Sequence, residues 1–363
     1  MGVPEKIRAI EEEMKRTQVH KHTEHHIGLL KAKLAKLKAE QEHAQSSKQS
    51  GTGFELKKGG DCTAVLIGLP SVGKSTILNR LTNAKSKVAP YAFTTLTVVP
   101  GLLEYQGARI QILDLPGIIS GAATGSGRGK RVLSVAKNAD LILLVLDVFQ
   151  PDQISTLMKE LYEIGIRLNT RPPNVTINRT AQGGLGITAA CKLTHLTPAT
   201  VRAIMNIYKI NQGSIIIRED ITDDQLIDLI VGNRKYIPSI TILNKIDLVS
   251  PQYVVEAKKR IGEDLVPISA DHAVNIEELR RAIYDGMKFI KVYLKPRNGP
   301  PDFEEPLIVT AGSTIYDVCE KIHKKFAGEA SFAMVSGKSV RFSPQRVGMD
   351  HVVEDRDIVT IMK

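Results

Sequence analysis

The sequence predicts an α/β fold in which parallel strands alternate with helices. Four apolar stretches have the length and the flanking turn residues of buried strands: residues 62–68, 109–115, 141–147 and 239–243. The first stretch continues through a glycine-rich bend into a helix that begins near Lys74. This alternation is typical of parallel sheets, which bind ligands at the carboxyl ends of their strands. The residues at those ends are therefore the candidates for chemistry.

Composition and charge limit the class of protein. The chain has 363 residues, 42% hydrophobic and 24% charged, as in soluble globular proteins of roughly two to three domains. Its longest apolar run, residues 141–146, is too short to span a bilayer. No apolar signal segment follows Met1 and the three cysteines form no CxxC pair, so we expect a cytoplasmic protein with reduced thiols and no membrane partner. The net charge of +10 favours an anionic partner such as RNA or the ribosome surface.

Residues 68–75, GLPSVGKS, match the phosphate-loop pattern G-x-x-x-x-G-K-[ST] at each fixed position. Glycines in such a loop let backbone N–H groups face phosphate oxygens, and the helix N-terminus that follows favours negative charge. Lys74 is expected to reach the β- and γ-phosphates, and the Ser75 hydroxyl to bind Mg²⁺. The predicted phosphate-binding residues are Gly68, Pro70, Ser71, Val72, Gly73, Lys74, Ser75 and Thr76.

A second motif, Asp114-Leu115-Pro116-Gly117, ends the strand that follows the phosphate loop. A carboxylate at this strand end can hold Mg²⁺ through water, so Asp114 is a predicted metal ligand. The Gly117 backbone can sense the γ-phosphate, which gives it a predicted catalytic role. A DxxG sequence alone is common, but its position one strand after a phosphate loop makes it informative.

A third motif, Asn244-Lys245-Ile246-Asp247, follows the strand at residues 239–243. Guanine presents two neighbouring N–H donors that one carboxylate can accept, whereas adenine would leave Asp247 unpaired. Asn244 is expected to support the loop, and the Lys245 stem to cover the ring. Ser269-Ala270, after a further strand-like stretch, suits a backbone contact to guanine O6. We therefore predict that the bound nucleotide is GTP or GDP.

With these motifs in place, the chain resembles the DRG subfamily of Obg-like GTPases, the developmentally regulated GTP-binding proteins of archaea and eukaryotes. The resemblance covers nearly the whole length. Its most specific segments include GLPSVGKST, YAFTTLTVVPG, DLPGIISGA, GRGKRVLSVAKNADL and VVEDRDIVTIMK.

The resemblance implies further residues, domains and partners. Thr95 would be the switch I threonine that closes on Mg²⁺ and the γ-phosphate, so that Lys74, Thr95 and Gly117 are the expected catalytic residues and Ser75, Thr95 and Asp114 the expected metal ligands. The family's fold implies a P-loop GTPase domain with an α+β insertion like domain 2 of ribosomal protein S5, an N-terminal helical extension and a C-terminal β-grasp TGS domain. A dedicated regulatory protein is an expected partner.

The expected domain order follows from these patterns. Residues 1–60 would form the helical extension and a linker, and residues 61–150 the first part of the G domain. Residues 151–236 would form the insertion, 237–290 the second part of the G domain, and 291–363 the TGS domain. Within the last of these, one helix is expected over residues 314–326.

Two positions bear on the hydrolysis of GTP. Ras-like GTPases place a water-orienting Gln directly after the DxxG glycine, but here that residue is Ile118. We therefore expect slow intrinsic hydrolysis that a partner, a ribosomal surface or a cation completes. Some Obg-like GTPases hold K⁺ partly through an Asn of the phosphate loop. The aligned residue here is Ser71, which leaves potassium activation open.

Two functions compete. One is a GTP-hydrolysing switch that acts on translation by contacting the ribosome or tRNA. The other is a GTP-dependent scaffold for a regulatory protein or RNA, with incidental turnover. An RNA-binding module with a vestigial G domain is disfavoured because each GTP motif is intact. For most of the three aromatic residues Tyr293, Phe303 and Phe332 of the tail, we expect core packing rather than stacking on bases.

Overall fold

The computed structural model describes residues 2–18, 20, 23–46, 60–82, 99–115, 135–262 and 264–362. The chain divides into two compact units. The first unit consists of Met1–Glu55 and Gly165–Tyr236, and the second of Leu56–Ile164 and Ile237–Lys363. Among the described residues, no helix has both the length and the apolar character that a membrane crossing needs.

The described helices are α1 (Val3–Arg16), α2 (Glu24–Ser46), α3 (Lys74–Leu81), α4 (Gln153–Glu163), α5 (Pro198–Ile207), α6 (Asp223–Val231), α7 (Pro251–Ile261), α8 (Ile276–Gly286), α9 (Ile315–Ile322) and α10 (Lys324–Glu329). The described strands are β1 (Cys62–Ile67), β2 (Val99–Tyr105), β3 (Ala108–Asp114), β4 (Leu141–Asp147), β5 (Ile166–Leu168), β6 (Val175–Arg179), β7 (Leu185–Ala189), β8 (Gly213–Ile217), β9 (Lys235–Ile237), β10 (Ser239–Asn244), β11 (Leu265–Pro267), β12 (Phe289–Leu294), β13 (Leu307–Thr310), β14 (Phe332–Ser336), β15 (Gln345–Val347) and β16 (Ile358–Met362).

The second unit contains the predicted parallel sheet. Its strand order is β11-β10-β4-β1-β3-β2. Neighbouring strands are parallel except for the edge strand β2, which is antiparallel to β3. The central strand β1 is buried along its length, and α3 packs its buried side chains into the same core. The carboxyl ends of β1, β3, β4 and β10 therefore meet at one edge of the sheet.

Helix α4 belongs with this sheet. Leu157 and Leu161 of α4 are buried, and the helix packs on β4. The insertion was expected to begin at residue 151, but the chain leaves the second unit only at Gly165. The physical reason is that the apolar face of α4 is buried within the second unit.

The first unit is built on a small sheet with the strand order β6-β8-β7. Ile215 and Ile217 of β8 are buried together with residues of α5 and α6 in one apolar core. A capping box begins α6, where Thr222 and Gln225 exchange hydrogen bonds with each other's backbone N–H groups. This α+β unit corresponds to the predicted insertion.

Helix α2 shares the core of the first unit, although the sequence suggested a separate N-terminal extension. Ala32 of α2 is fully buried among residues of α5 and α6. The Lys31 ammonium lies 2.8 Å from the Asp224 carboxylate at the start of α6. Lys36 Nζ donates to the carbonyl oxygen of Ile207 over 2.7 Å, which satisfies an otherwise free acceptor at the end of α5. Helix α2 is thus an integral part of this unit.

The C-terminal residues of the second unit form the predicted β-grasp module. Its five-stranded sheet has the order β13-β12-β16-β14-β15, and α9 packs its buried residues against one face. The single helix expected over residues 314–326 is interrupted, because His323 adopts an extended conformation (φ −168°, ψ 134°) between α9 and α10.

The packing of α2 into the core of the first unit can be tested with glutamate substitutions at two adjacent residues, Ala32 and Lys33. Ala32→Glu would place a carboxylate in the core of the first unit, and we expect it to lower the free energy of unfolding by about 2–4 kcal/mol. Lys33 is exposed, so Lys33→Glu should change it by no more than about 0.5 kcal/mol. Urea unfolding, read out by proteolysis within residues 165–236, measures both. Equal effects of the two variants would show that α2 lies outside this core.

Candidate nucleotide-binding site

The phosphate loop connects β1 to α3, and two of its glycines are required by packing. Gly73 has a φ of +93°, and a Cβ there would lie 2.3 Å from Asn244 Nδ2. A Cβ on Gly68 would lie 2.5 Å from the carbonyl oxygen of Val145. The predicted contact residues Pro70 and Ser71 are exposed at the bend, and Thr76 is half-buried in the first turn of α3. The loop therefore has the shape and the glycines that close approach of a phosphate needs.

Lys74 is buried at the start of α3. Its Nζ donates to the carbonyl oxygens of Gly68, at 3.1 Å, and Leu69, at 2.8 Å. Burial lowers the pKa of Lys74, while the negative charge of Asp114 acts in the opposite direction. Among the described residues, the hydrogen-bond partners of the ammonium are two neutral carbonyl oxygens. A phosphate oxygen would be a stronger acceptor than either of them.

Ser75 and Asp114, two of the predicted metal ligands, contact each other. Ser75 Oγ donates to Asp114 Oδ2 over 2.5 Å. Asp114 is 7% exposed, and its Oδ1 is buried without a hydrogen-bond partner among the described residues. Burial raises the pKa of Asp114, and the Ser75 hydrogen bond and Lys74 offset part of this. A buried carboxylate oxygen without a partner beside a hydroxyl is a donor set that Mg²⁺ prefers.

Asn244 joins the phosphate loop to the predicted base-binding loop. Its side chain is buried, with Nδ2 donating to the carbonyl oxygen of Val72 at 2.9 Å. Its Oδ1 accepts a hydrogen bond from the Ala270 N–H at 3.1 Å. One amide side chain therefore holds both loops at the carboxyl edge of the sheet. The backbone contact that the sequence predicts between Ser269-Ala270 and guanine O6 stays a prediction.

Lys245 makes a second connection, to a residue that the sequence analysis did not select. Its Nζ lies 2.7 Å from Asp147 Oδ2 and donates to the carbonyl oxygen of Ser71 at 3.0 Å. Asp147 ends β4 directly beside Asn244 in the sheet. Its position at a strand end was the signal that could have identified it. A cavity of about 370 Å³ opens beside this pair, and its lining includes Pro70, Asp147 and Phe149.

Asp247 lies beside Ser269 and His272. A hydrogen bond from the Ser269 side chain holds the pKa of Asp247 below its usual range, and His272 and Lys245 contribute less. His272 Nε2 lies 3.6 Å from Asp247 Oδ2. An aspartate with an ordinary or a lowered pKa is ionised at neutral pH, and the ionised carboxylate can accept two N–H groups of a base.

Arg80 of α3 is a further residue that sequence motifs did not reveal. Its Nε donates to the Ala270 carbonyl oxygen at 2.8 Å, and its Nη2 to that of Asp271 at 2.7 Å. Arg280 in turn donates to the Arg80 carbonyl oxygen at 3.1 Å. The guanidinium fork thus ties the loop at residues 269–271 to the helix that begins with Lys74 and Ser75.

Two of the predicted catalytic residues, Thr95 and Gly117, lie outside the described residues, and so does Ile118. Their roles stay predictions. The described site brings together the other predicted phosphate, metal and base residues in the second unit.

Arg80 provides a test of how the base loop is positioned. We expect Arg80→Ala to weaken GDP binding roughly tenfold, mainly through faster release, because two charged hydrogen bonds to the loop are lost. Stopped-flow release of a fluorescent GDP analogue measures this rate. Arg281→Ala, which changes an exposed arginine of α8, is the control. A release rate equal to that of the wild type would contradict the positioning role.

Three family models match the chain. A "50S ribosome-binding GTPase" model matches residues 63–179, and a model of the "C-terminal region of MMR_HSR1 domain" matches residues 182–289. A TGS domain model matches residues 290–363. The P-loop GTPase fold and the C-terminal TGS domain that the resemblance implied are thereby confirmed.

Curated relatives are similar over the whole chain. An uncharacterized GTP-binding protein of Methanocaldococcus jannaschii is 51% identical over 100% of this chain and 93% of its own length. GTP-binding protein 1 of Schizosaccharomyces pombe is 47% identical, covering 100% of this chain and 99% of the relative. Developmentally-regulated GTP-binding protein 2 of Bos taurus is 43% identical over 100% of both chains. The chain therefore belongs to the developmentally regulated GTP-binding proteins and is a GTPase.

Proposed function

We propose that the protein is a Mg²⁺-dependent GTP switch that acts on the ribosome during translation. The observation that carries this proposal is the linkage of the phosphate loop to the base loop through Asn244. A site linked in this way can couple the identity of the base to the state of the phosphates. To the GTPase activity, the proposal adds a role in translation, a bound Mg²⁺ and the ribosome as partner.

Lys74, Ser75 and Asp114 would serve the phosphates and the metal. The buried Oδ1 of Asp114 lacks a partner among the described residues, and Ser75 Oγ is adjacent to the same carboxylate, so both groups fit Mg²⁺. The metal would neutralise charge that develops on the phosphate oxygens. Lys74 would turn from its two loop carbonyls to the β- and γ-phosphates, and Thr95 and Gly117 would complete the contacts to the γ-phosphate.

Asp247, Ser269 and Lys245 would select guanine. The Ser269 side chain donates a hydrogen bond to Asp247 and lowers the pKa of that carboxyl, and the ionised carboxylate can pair with N1–H and the exocyclic amine together. Adenine lacks this pair of donors and would leave the carboxylate without partners. The Lys245 ammonium is held by Asp147 and Ser71, which positions its stem for packing against the ring. Ala270 would contact O6 if its N–H is shared with Asn244.

The ribosome is the partner that the chemistry of the chain favours. A net charge of +10 suits an RNA surface, and the matching GTPase family model is described as ribosome-binding. A dedicated regulatory protein is a second partner that we propose, on the basis of family membership.

Hydrolysis by the isolated protein should be slow. Ile118 follows the DxxG glycine, and an aliphatic side chain can neither orient water nor form a hydrogen bond. We expect a single-turnover rate on the order of 10⁻³ s⁻¹ or less, as for unassisted Ras-type GTPases. Quench-flow with radiolabelled GTP measures it. A rate of several per second without a partner would contradict the prediction, and a comparison of K⁺ with Na⁺ buffer decides whether a potassium ion assists.

A GTP-dependent scaffold is the alternative function. In that case GTP would order the protein for a regulatory protein or RNA, and turnover would be incidental. Slow intrinsic hydrolysis is compatible with both functions, so the discriminating property is whether the nucleotide state changes binding to the ribosome.

Co-sedimentation with ribosomes tests the proposed switch. We expect the wild type to bind in the presence of a non-hydrolysable GTP analogue and to be released with GDP, because the γ-phosphate distinguishes the two states. Lys74→Ala, which removes the phosphate-binding ammonium, should abolish this difference. Equal sedimentation with both nucleotides would contradict the switch and favour the scaffold.

A further inference from the structure

The Lys245 ammonium lies within electrostatic reach of two carboxylates. In the structure it pairs with Asp147, with Nζ 2.7 Å from Oδ2. The second carboxylate, Asp247, follows Lys245 by two residues and is the group that would read guanine. A hydrogen bond from Ser269 does most to lower the pKa of Asp247, and the charge of Lys245 lowers it further. The position of one ammonium on a flexible stem therefore bears on how available Asp247 is to a base.

The carboxylate of Asp147 is held in place by its surroundings. Its Oδ1 accepts a hydrogen bond from the Phe149 N–H at 2.9 Å, and its carbonyl oxygen accepts one from the Gln150 N–H at 3.0 Å. The residue itself lies in β4, in register with Asn244 of β10. Of the two partners in the ion pair, Asp147 is thus the anchored one and Lys245 the one with a flexible stem.

The Asp147–Lys245 pair is well shielded from water. The side chains of Asp147 and Lys245 are 16% and 27% exposed, whereas those of the nearby pair Asp152–Arg260 are 84% and 58% exposed. Water and salt screen an exposed pair more strongly than a shielded one. The Lys245 ammonium also donates to the Ser71 carbonyl oxygen at 3.0 Å. It is therefore held more firmly at the phosphate loop than a surface ion pair would hold it.

Asp247 is an alternative partner for the same ammonium. Its side chain is 21% exposed, so it is shielded to a similar degree as Asp147. If position 147 carried no charge, the Lys245 side chain would turn from the phosphate loop towards Asp247, because a shielded ammonium favours a carboxylate over a neutral carbonyl oxygen. A lysine bound there would occupy an acceptor that the N–H groups of guanine need.

We propose that Asp147 is a positioning residue that sets the affinity for guanine nucleotides by holding the Lys245 ammonium away from Asp247. In this role Asp147 does not touch the base and acts only through Lys245. It keeps Asp247 available for N1–H and the exocyclic amine, and it keeps the Lys245 stem where it can cover the ring. The inference rests on the proposed function, because it takes from it the recognition of guanine by Asp247.

A double-mutant cycle tests the proposal, with the affinity of the full-length protein for a fluorescent GDP analogue as the measurement. Asp147→Asn removes the charge but keeps an acceptor for the Phe149 N–H, and we expect it to weaken GDP binding roughly tenfold. Lys245→Met keeps an unbranched apolar stem without the ammonium. In the otherwise natural chain it should weaken binding, because Asp147 then lacks a cation beside the phosphates.

In the Asp147→Asn background, Lys245→Met should instead strengthen GDP binding by about fivefold, because no ammonium remains to occupy Asp247. A residue that only supports the fold would not reverse the effect of Lys245→Met in this way. The matched control is Asp152→Asn, which removes the carboxylate of the exposed pair and should leave the affinity unchanged. If Asp147→Asn folds poorly, Asp147→Ser, which also keeps an acceptor, repeats the cycle.

Two results would overturn the role of Asp147. One is equal affinity of Asp147→Asn and the wild type for GDP. The other is a Lys245→Met substitution that weakens binding by the same factor in both backgrounds.

Inosine diphosphate separates this inference from the proposed function, because it lacks the exocyclic amine of guanine. Recognition by Asp247 predicts that the wild type prefers GDP to inosine diphosphate and that Asp247→Ala loses the preference. If the preference survives in Asp247→Ala, the proposed recognition is wrong and the inference fails with it. If Asp247→Ala loses the preference while the effects in the cycle are additive, only the role of Asp147 is wrong.

Discussion

The buried side chain of Asn244 is the interaction on which the nucleotide site depends. It satisfies the Val72 carbonyl with its Nδ2 and the Ala270 N–H with its Oδ1. Removing it would leave one acceptor and one donor without partners, at about 1–3 kcal/mol each. The same contact explains why residue 73 is a glycine, since a Cβ there would collide with the Asn244 amide. The sheet provides the frame, because parallel pairing brings Asn244 beside Asp147 at the carboxyl edge.

Around this link the site contains buried charges of both signs. Burial raises the pKa of Asp114 and lowers that of Lys74, so in both cases it disfavours the ionised form. Lys74 and Asp114 offset part of each other's penalty, and phosphates and a metal would offset more of it by bringing further opposite charge to each group. Lys245 already has a carboxylate partner in Asp147. The two buried groups whose ionised forms are disfavoured, Lys74 and Asp114, therefore lie where the phosphates and the metal would bind.

Local patterns in the sequence were sufficient to predict the strands β1, β3, β4 and β10, the phosphate loop and the base motif. These local patterns could not predict contacts between residues that lie far apart in the sequence. Arg80 touches the base loop 190 positions away, and no local spacing signals such a bond. A helical extension was predicted over residues 1–60, but the packing of α2 against α5 and α6 was not. Edge strand β2 was missed because Pro100 and Gly101 interrupt its pattern, which an edge position tolerates.

Hydrogen exchange of the nucleotide-free protein tests the central claim that Asn244 makes the two loops one unit. The measurement compares the wild type with Asn244→Ala at the backbone amides of residues 68–76 and 268–272. If the amide joins the loops, both segments will lose protection together in the variant. Loss of protection in one segment only, or in neither, would contradict the account.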